Sequence, residues 1–457
     1  MNSLPLPPSN TGLGLHYFPD DTHYRLADAE LWLPRLKLLG ASWLTLVGSL
    51  DRAIPEPFIR RVIDAGLEPV IHLPVRPIAP VDADALAVLY RCYAKWGVHY
   101  VVLFDRPNTR AVWPAADWGR EGLVGRYLDV ALPALQLAQS LGMAPVLAPL
   151  HPGGDYWDTS FLDAAIRLLD SRGQRALLDD LVLAIYGLAG NRPADWGAGG
   201  PSRWPGAKPY VTAPGSQDQI GFRAFEWYAD VISARLGGPR PMIMVAGGAV
   251  PGDATDPNFP VVDATRHVYC NLALAKGMVE RTLPSYLLNV TFWLLAAEGG
   301  AAPAAWFQRD GSQLPAVAAI RQLIASSNGK AAKTATGAAG REPPHPKGGF
   351  QPGVGARPLY HYLLLPPARE PSDWYALYGA ALEYLRRFQP TCGFSVLEAQ
   401  SADFVTIVGD EAGITAASEQ ALLAAGCKVE RVGGRDVIET QMRLNELAQT
   451  GQRFSSI

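Results

Sequence analysis

The sequence predicts an α/β protein: a (β/α)8 barrel followed by a small three-layer α/β domain. Three observations carry that expectation. The chain has 457 residues, too many for one small domain and suited to a barrel of about 250 to 330 residues with a further module. Over 12–325, short apolar runs alternate with stretches of helical period, as repeated βα units require. Beyond a Gly-, Ala- and Pro-rich stretch at 326–357, a shorter strand-and-helix alternation fills 358–457.

The predicted barrel strands are, in order, 14–18, 43–47, 69–73, 100–104, 144–150, 181–186, 242–245 and 287–293. Between them lie amphipathic helices. Phe58, Ile59, Val62 and Ile63 mark one apolar face of 57–65, and Gly66 follows. Leu86, Leu89, Cys92, Tyr93 and Trp96 do the same over 83–96, before Gly97. Eight strands each followed by a helix favour a closed barrel over an open doubly wound sheet, and the first strand carries no G-x-G-x-x-G. The stretch 326–357 reads as a linker. In the second alternation, 359–365, 404–408 and 428–432 read as strands, and 372–388, 416–425 and 436–449 as helices, giving three or so parallel strands.

Composition excludes several functions. Hydrophobic residues make up 48% and charged residues 18%, enough apolar surface for a sizeable core. The net charge of −3 is spread over interspersed acids and bases, so no basic field exists to follow a phosphate backbone and no nucleic-acid partner is expected. Cys92, Cys270, Cys392 and Cys427 are scattered, with no C-x-x-C pair, and suggest neither a disulfide framework nor a zinc site. No metal or other cofactor is expected. The Pro- and Ser-rich start, residues 1–11, reads as disordered and lacks the pattern of a signal peptide, which makes the cytoplasm the default compartment, with surface association as the alternative. No apolar run reaches the length of a membrane span.

Barrel chemistry sits where the C-terminal ends of the strands converge. Those ends offer His16, Tyr17, His72, Asp105, Arg106, His151, Tyr186, Trp293 and Glu298, with Trp306 in the following loop. Each alone could be a satisfied polar group or a core aromatic. Their clustering at strand ends makes them the candidate ligand-binding set. Asp155 and Asp158 add carboxylates after the fifth strand, Asp158 also suiting a helix N-cap. Trp113, Trp118, Tyr156, Trp157, Trp196 and Trp204 load the loops with rings that stack on sugars or pin long loops.

Three segments resemble the clan of retaining glycosidases that includes cellulase, xylosidase and iduronidase barrels. Val101-Val-Leu-Phe-Asp-Arg-Pro-Asn108 resembles the clan's fourth strand, ending in Asn-Glu-Pro-Asn. Pro241-Met-Ile-Met-Val-Ala-Gly-Gly-Ala249 resembles its seventh, ending in Thr-Glu-Gly-Gly. Thr291-Phe-Trp293 sets a Trp where the clan has an aromatic platform under the sugar. The resemblance implies that Arg106 stands in place of the acid/base glutamate and Ala246 in place of the nucleophile. Retaining hydrolysis needs two carboxyl groups about 5 Å apart. A guanidinium cannot hand over a proton near neutral pH, and a methyl group cannot form a glycosyl ester. Asp105 falls at the clan's sugar-binding Asn. Arg106 suits either an ion pair with Asp105 or the carboxylate of a uronate or sialic acid.

The segments Ala402–Asp410, Gly413-Ile-Thr, Leu422–Gly434 and Glu439-Thr-Gln resemble one unit of the bacterial cell-wall-binding repeat of the second type, against a plain βαβ packing domain as the alternative. A cell-wall or protein partner through this domain is what the resemblance implies. Three functions follow from the whole sequence: a glycan-binding, glycosidase-like protein without standard hydrolysis; an active glycosidase or transglycosidase using relocated carboxylates, Asp105 with Glu298; or a structural or assembly scaffold.

Overall fold

The computed structural model describes residues 4–308, 311–335, 359–366, 380–385, 387–388, 390–393, 396–400 and 402–455. Strands β1 (Leu13–His16), β2 (Trp43–Val47), β3 (Glu68–Leu73), β4 (Tyr100–Leu103), β5 (Ala144–Leu147), β6 (Val182–Leu188), β7 (Met242–Gly248) and β8 (Val290–Phe292) close into a parallel barrel in sequence order, β8 pairing with β1. Helices lie in the connections. The predicted barrel is present, with β5 and β8 shorter than expected.

Strands covered on both faces read as unbroken apolar runs. Alternate residues enter an inner cluster of Trp43, Val70, Tyr100, Val102, Val146, Val182, Ala184, Tyr186, Ile243 and Ala246. Their strand neighbours, such as Leu44, Ile71, Val101, Leu183 and Met244, join the layer beneath the helices. The helix Ala83–Lys95 starts where the Asp82 carboxylate accepts from the Asp84 and Ala85 amides at 2.9 Å, and it buries Leu86, Leu89, Tyr90 and Tyr93. Gly97 follows its end at φ +90°, a conformation a side chain would strain. A bulge between Ile185 and Tyr186 shifts the β6–β7 register and brings Tyr186 opposite Ala246.

The start of the chain departs from the expected disorder over residues 4–11. Leu4 packs on the inner cluster, the Tyr100 hydroxyl donates to Pro5 O at 2.7 Å, and Trp43 Nε1 donates to Asn10 Oδ1 at 2.9 Å. A Pro-rich segment needs no regular structure to be fixed when buried donors require its carbonyls. The expected linker is also corrected at its beginning. The helix Pro315–Ala335 runs through the Asn328-Gly-Lys sequence, and residues 336–358 lie outside the described residues.

The chain divides into two compact units, Met1–Ala339 and Gly340–Ile457. In the second, β9 (Leu359–Leu364), β10 (Thr391–Gly393), β11 (Ala402–Val408) and β12 (Lys428–Val432) form a parallel sheet of order β10-β9-β11-β12. The edge strand β10 went unpredicted: three residues give too short an apolar run to recognise. Tyr362, Leu364, Val405 and Ile407 pack on one face and Leu363, Leu365, Val408 and Val432 on the other, which makes the predicted three layers. The predicted helix 372–388 falls within the described residues only at 380–385 and 387–388, which are helical.

The polar residues that carry the repeat resemblance are engaged inside this unit. Arg431 donates to Asp410 O and Ile414 O and pairs with Glu419 at 2.7 Å. The buried Glu430 accepts from Thr406, and from the amide and hydroxyl of Ser455. Glu439 and Thr440 bond the Arg435 and Gly434 amides that lead into the last helix, Val437–Thr450.

The barrel mouth as the candidate functional site

The chain after β4 builds the centre of the mouth. Phe104 and Arg106 both hold left-handed backbone, at φ +72° and +48°, conformations that cost non-glycine residues of the order of 1 kcal/mol or more. The turn sends Phe104 into the helix-side core, beside Tyr127, and leaves Asp105 buried in the mouth. Arg106 N donates to Pro149 O at 2.9 Å, and Asn108 exchanges hydrogen bonds with the His151 backbone. The loops after β4 and β5 are thus fixed to each other, and His151 is held at the exposed rim.

Both Asp105 oxygens accept. Oδ1 takes the Tyr186 hydroxyl at 2.7 Å, and Oδ2 takes Arg76 Nη2 at 2.9 Å. His72 Nε2 lies 3.9 Å from Oδ1 and 3.2 Å from Phe104 O. The Arg106 guanidinium lies over the Tyr186 ring at 4.5 Å, its Nε 3.7 Å from Asp105. Burial opposes the Arg106 charge, but Tyr186 and Asp105 outweigh it and hold the group above its ordinary value. Burial, then Asp105, pushes the Tyr186 phenol up.

On the other side of the mouth, Trp293 follows β8 and meets His16 with ring centroids 4.5 Å apart. Burial first, then His72, brings His16 down to about 3. Burial likewise lowers His72, against the pull of Asp105, and crowding followed by Arg106 lowers His151. The three imidazoles are neutral at pH 7. His16 Nδ1 and Thr45 Oγ1, on residues in register across β1 and β2, are buried with no hydrogen-bond partner among the described residues.

His16, His72, Asp105, Arg106, Tyr186 and Trp293 therefore come together, with His151 at the rim. Three others do not join them. Tyr17 faces the helix layer, stacked on Tyr24 and beside Phe58, because consecutive strand residues point to opposite faces. Trp306 is buried behind β8 against Phe292 and His267, and its Nε1 bonds Trp293 O at 3.2 Å; it positions the Trp293 backbone. Glu298 is exposed, leading into the short helical turn Gly299–Ala304. Asp158, instead of capping, is the buried first residue of the helix Asp158–Ser171 and accepts from Gln219 and Tyr228. Of the loop aromatics, Trp113, Trp196 and Trp204 pin loops through Nε1, to Pro107 O, Asp218 and Ala198 O. Arg76 and Thr45 were missed. Arg76, three residues past β3 in Leu73-Pro-Val-Arg, was within reach of the strand-end reading. Thr45 looks like any β-branched strand residue.

Ala246 lies in the inner cluster beside Tyr186, with Trp293 packed against that cluster. Strand β7, Met-Ile-Met-Val-Ala-Gly-Gly, carries no carboxylate at any register. Across the eight barrel strands and the two residues after each, Asp105 is the one carboxylate at a C-terminal end; Glu68 opens β3 at the far end. No group of three or more His, Cys, Asp or Glu among the described residues is placed to hold a metal ion, and no described helix is long and apolar enough to cross a membrane.

No family model and no curated protein matches the chain. Solved structures that share the barrel architecture include a family 39 glycoside hydrolase from Bacteroides cellulosilyticus WH2, at 11% identity and TM-score 0.47 over 70% of this chain and 64% of that one. The chain thus matches less than two thirds of that hydrolase's length. A monomeric β-xylosidase from Caulobacter crescentus CB15 matches at 12% identity and TM-score 0.44, over 71% of this chain and 70% of its own. A family 128 endo-β-1,3-glucanase from Pseudomonas viridiflava matches at 13% and 0.42, over 68% and 97%. The class defined by the strand order is an eight-stranded parallel α/β barrel with a second, smaller α/β unit.

Proposed function

We propose that the barrel mouth binds a glycan and that the protein is glycosidase-like without the two-carboxylate mechanism. One observation carries the reading: among the strand ends of the mouth there is a single carboxylate, Asp105, and both its oxygens already accept from Tyr186 and Arg76. A retaining or inverting mechanism takes two carboxyl groups with separate roles. The half-buried Trp293, in contact with His16, supplies an aromatic surface, and His72, Tyr186 and Arg106 add polar groups to the same mouth, a composition suited to sugar faces and hydroxyls. The strand-four and strand-seven resemblance to retaining glycosidases supports the same ligand class. The repeat resemblance in the C-terminal unit supports a cell-wall partner, which sedimentation of the protein with purified peptidoglycan tests.

A glycan-array screen followed by hydrolysis assays on the hits tests the main reading. Binding without turnover of the hits or of aryl glycosides is expected. Turnover by the unmodified protein that is lost in Asp105→Asn or Glu298→Gln, yet unaffected at Arg106, establishes a working glycosidase with relocated carboxylates instead.

A further inference from the structure

We propose that the ligand is a monoanionic sugar, carrying a carboxylate or a sulfate ester, held through the guanidinium groups of Arg106 and Arg76. The inference rests on the glycan reading above and names the ligand's charge.

Exposure separates the charges of the mouth. The Arg76 side chain is 52% exposed and that of Arg106 35%, whereas Asp105 is 4% exposed. An arriving ligand therefore meets two cations, with their shared anion beneath them. Two guanidiniums against one carboxylate leave one positive charge, and the neutral His16, His72 and His151 add none. Asp155, four residues on in the same loop, adds a negative charge at the His151 rim and accepts from the Arg110 amide at 2.7 Å, so the positive charge belongs to the arginine pair and Asp105 and not to the rim.

Geometry gives the same answer. At 3.7 Å, Arg106 Nε is too far from Asp105 for a hydrogen bond, and it has no other hydrogen-bond partner among the described residues. Its plane is fixed by the Tyr186 ring, 4.5 Å away. Its Nε is enclosed and without a hydrogen bond among the described residues while the side chain as a whole is 35% exposed, so the outer edge of the guanidinium is what an arriving oxyanion meets. Asp105 lies within reach of both arginines, bonded to Arg76 at 2.9 Å and 3.7 Å from Arg106 Nε. One added negative charge balances the two arginines and Asp105. Trp293 then offers its ring to the sugar that carries the anion.

Calorimetric titration of the full-length protein at low salt tests the proposal with four probes: oligogalacturonate, a sulfated galactan oligosaccharide, cello-oligosaccharide and xylo-oligosaccharide. At least one anionic probe is expected to bind tenfold or more tighter than both neutral ones, and which of the two binds identifies the group. Arg106→Gln should weaken that probe at least tenfold, and by a larger factor than it weakens the neutral probes, with circular dichroism confirming the fold. Arg106→Lys, which keeps the charge and loses the fork, should fall between. Neutral probes binding as well as the anionic ones, or Arg106→Gln binding like the parent, overturns the monoanion and leaves the glycan reading standing. No binding of any probe overturns both.

Discussion

The two ends of the barrel treat buried polar groups in opposite ways. At the N-terminal end each buried polar group named has a partner: Glu68 accepts from His99 at 2.9 Å, Tyr100 donates to Pro5 O and Trp43 to Asn10. At the mouth, His16 Nδ1, Thr45 Oγ1 and Arg106 Nε have none among the described residues, and two left-handed residues fall within three positions. Unpaired buried groups and strained backbone cost stability. Buried atoms without a partner among the described residues also occur in the helix layer, at Tyr17, Tyr127 and His267, so it is their coincidence with two left-handed residues at the C-terminal strand ends that marks the mouth as the functional end.

The largest effect expected from this contrast is on stability. Trp43→Ala, at a fully buried ring that packs on Tyr100, should cost about 3 to 5 kcal/mol in urea unfolding of the barrel unit. An equal cost for a mouth substitution would erase the distinction.

Acidity separates the two ends next, with opposite signs. His16 in the fold sits at about 3, below its unfolded value. The unfolded chain therefore binds the extra proton, and stability is lost as pH falls below the ordinary histidine range. The slope is at most about 1.4 kcal/mol per pH unit, so roughly 2 kcal/mol between pH 6.5 and 5. At the far end, the hydrogen bond that His99 donates to Glu68 raises His99, while burial raises Glu68 despite its partner. The two shifts disagree on how favourable the pair is, because Glu68 is far more enclosed than His99, yet both have one sign: the native state holds protons more tightly, and stability falls as pH rises. For His99 that loss begins above the ordinary histidine range. His16→Gln should flatten the acid limb of a stability–pH profile and leave the alkaline limb; Glu68→Gln should flatten the alkaline limb and, by removing a carboxyl that is raised in the fold, steepen the acid limb. A single variant that flattens both limbs would contradict the separation.

The smallest expected effect is Arg106→Gln. It removes the contact with the Tyr186 ring and the 3.7 Å ion pair with Asp105, which keeps its bonds from Tyr186 and Arg76, so unfolding should shift by less than about 1 kcal/mol. The same change abolishes ligand selectivity above. A loss of several kcal/mol would make Arg106 a structural residue.

Much of this was legible in the residues. Barrel strands buried on both faces must be apolar throughout, so β2, β3 and β7 stood out as runs, and the missing carboxylate of β7 needed no coordinates. The alternating strands and helices of the second unit are legible in its sequence, while the hydrogen bonds that engage Glu430, Arg431 and Glu439 inside it are not. Tyr17 was named with His16 although strand alternation allows only one of them to face the mouth.

What the sequence by itself determined is the set of elements and the chemistry they lack, because burial on two faces dictates composition locally. Tertiary structure alone decided which polar groups meet. Arg76 reaches Asp105 from a different loop, 29 residues away in the chain; the left-handed turn at Phe104 and Arg106 re-aims two side chains; and the bulge at Tyr186 sets its partner on β7. Each depends on closing the ring, where contacts are between strands and not along them, and where a one-residue change of register turns a side chain from the mouth to the helices.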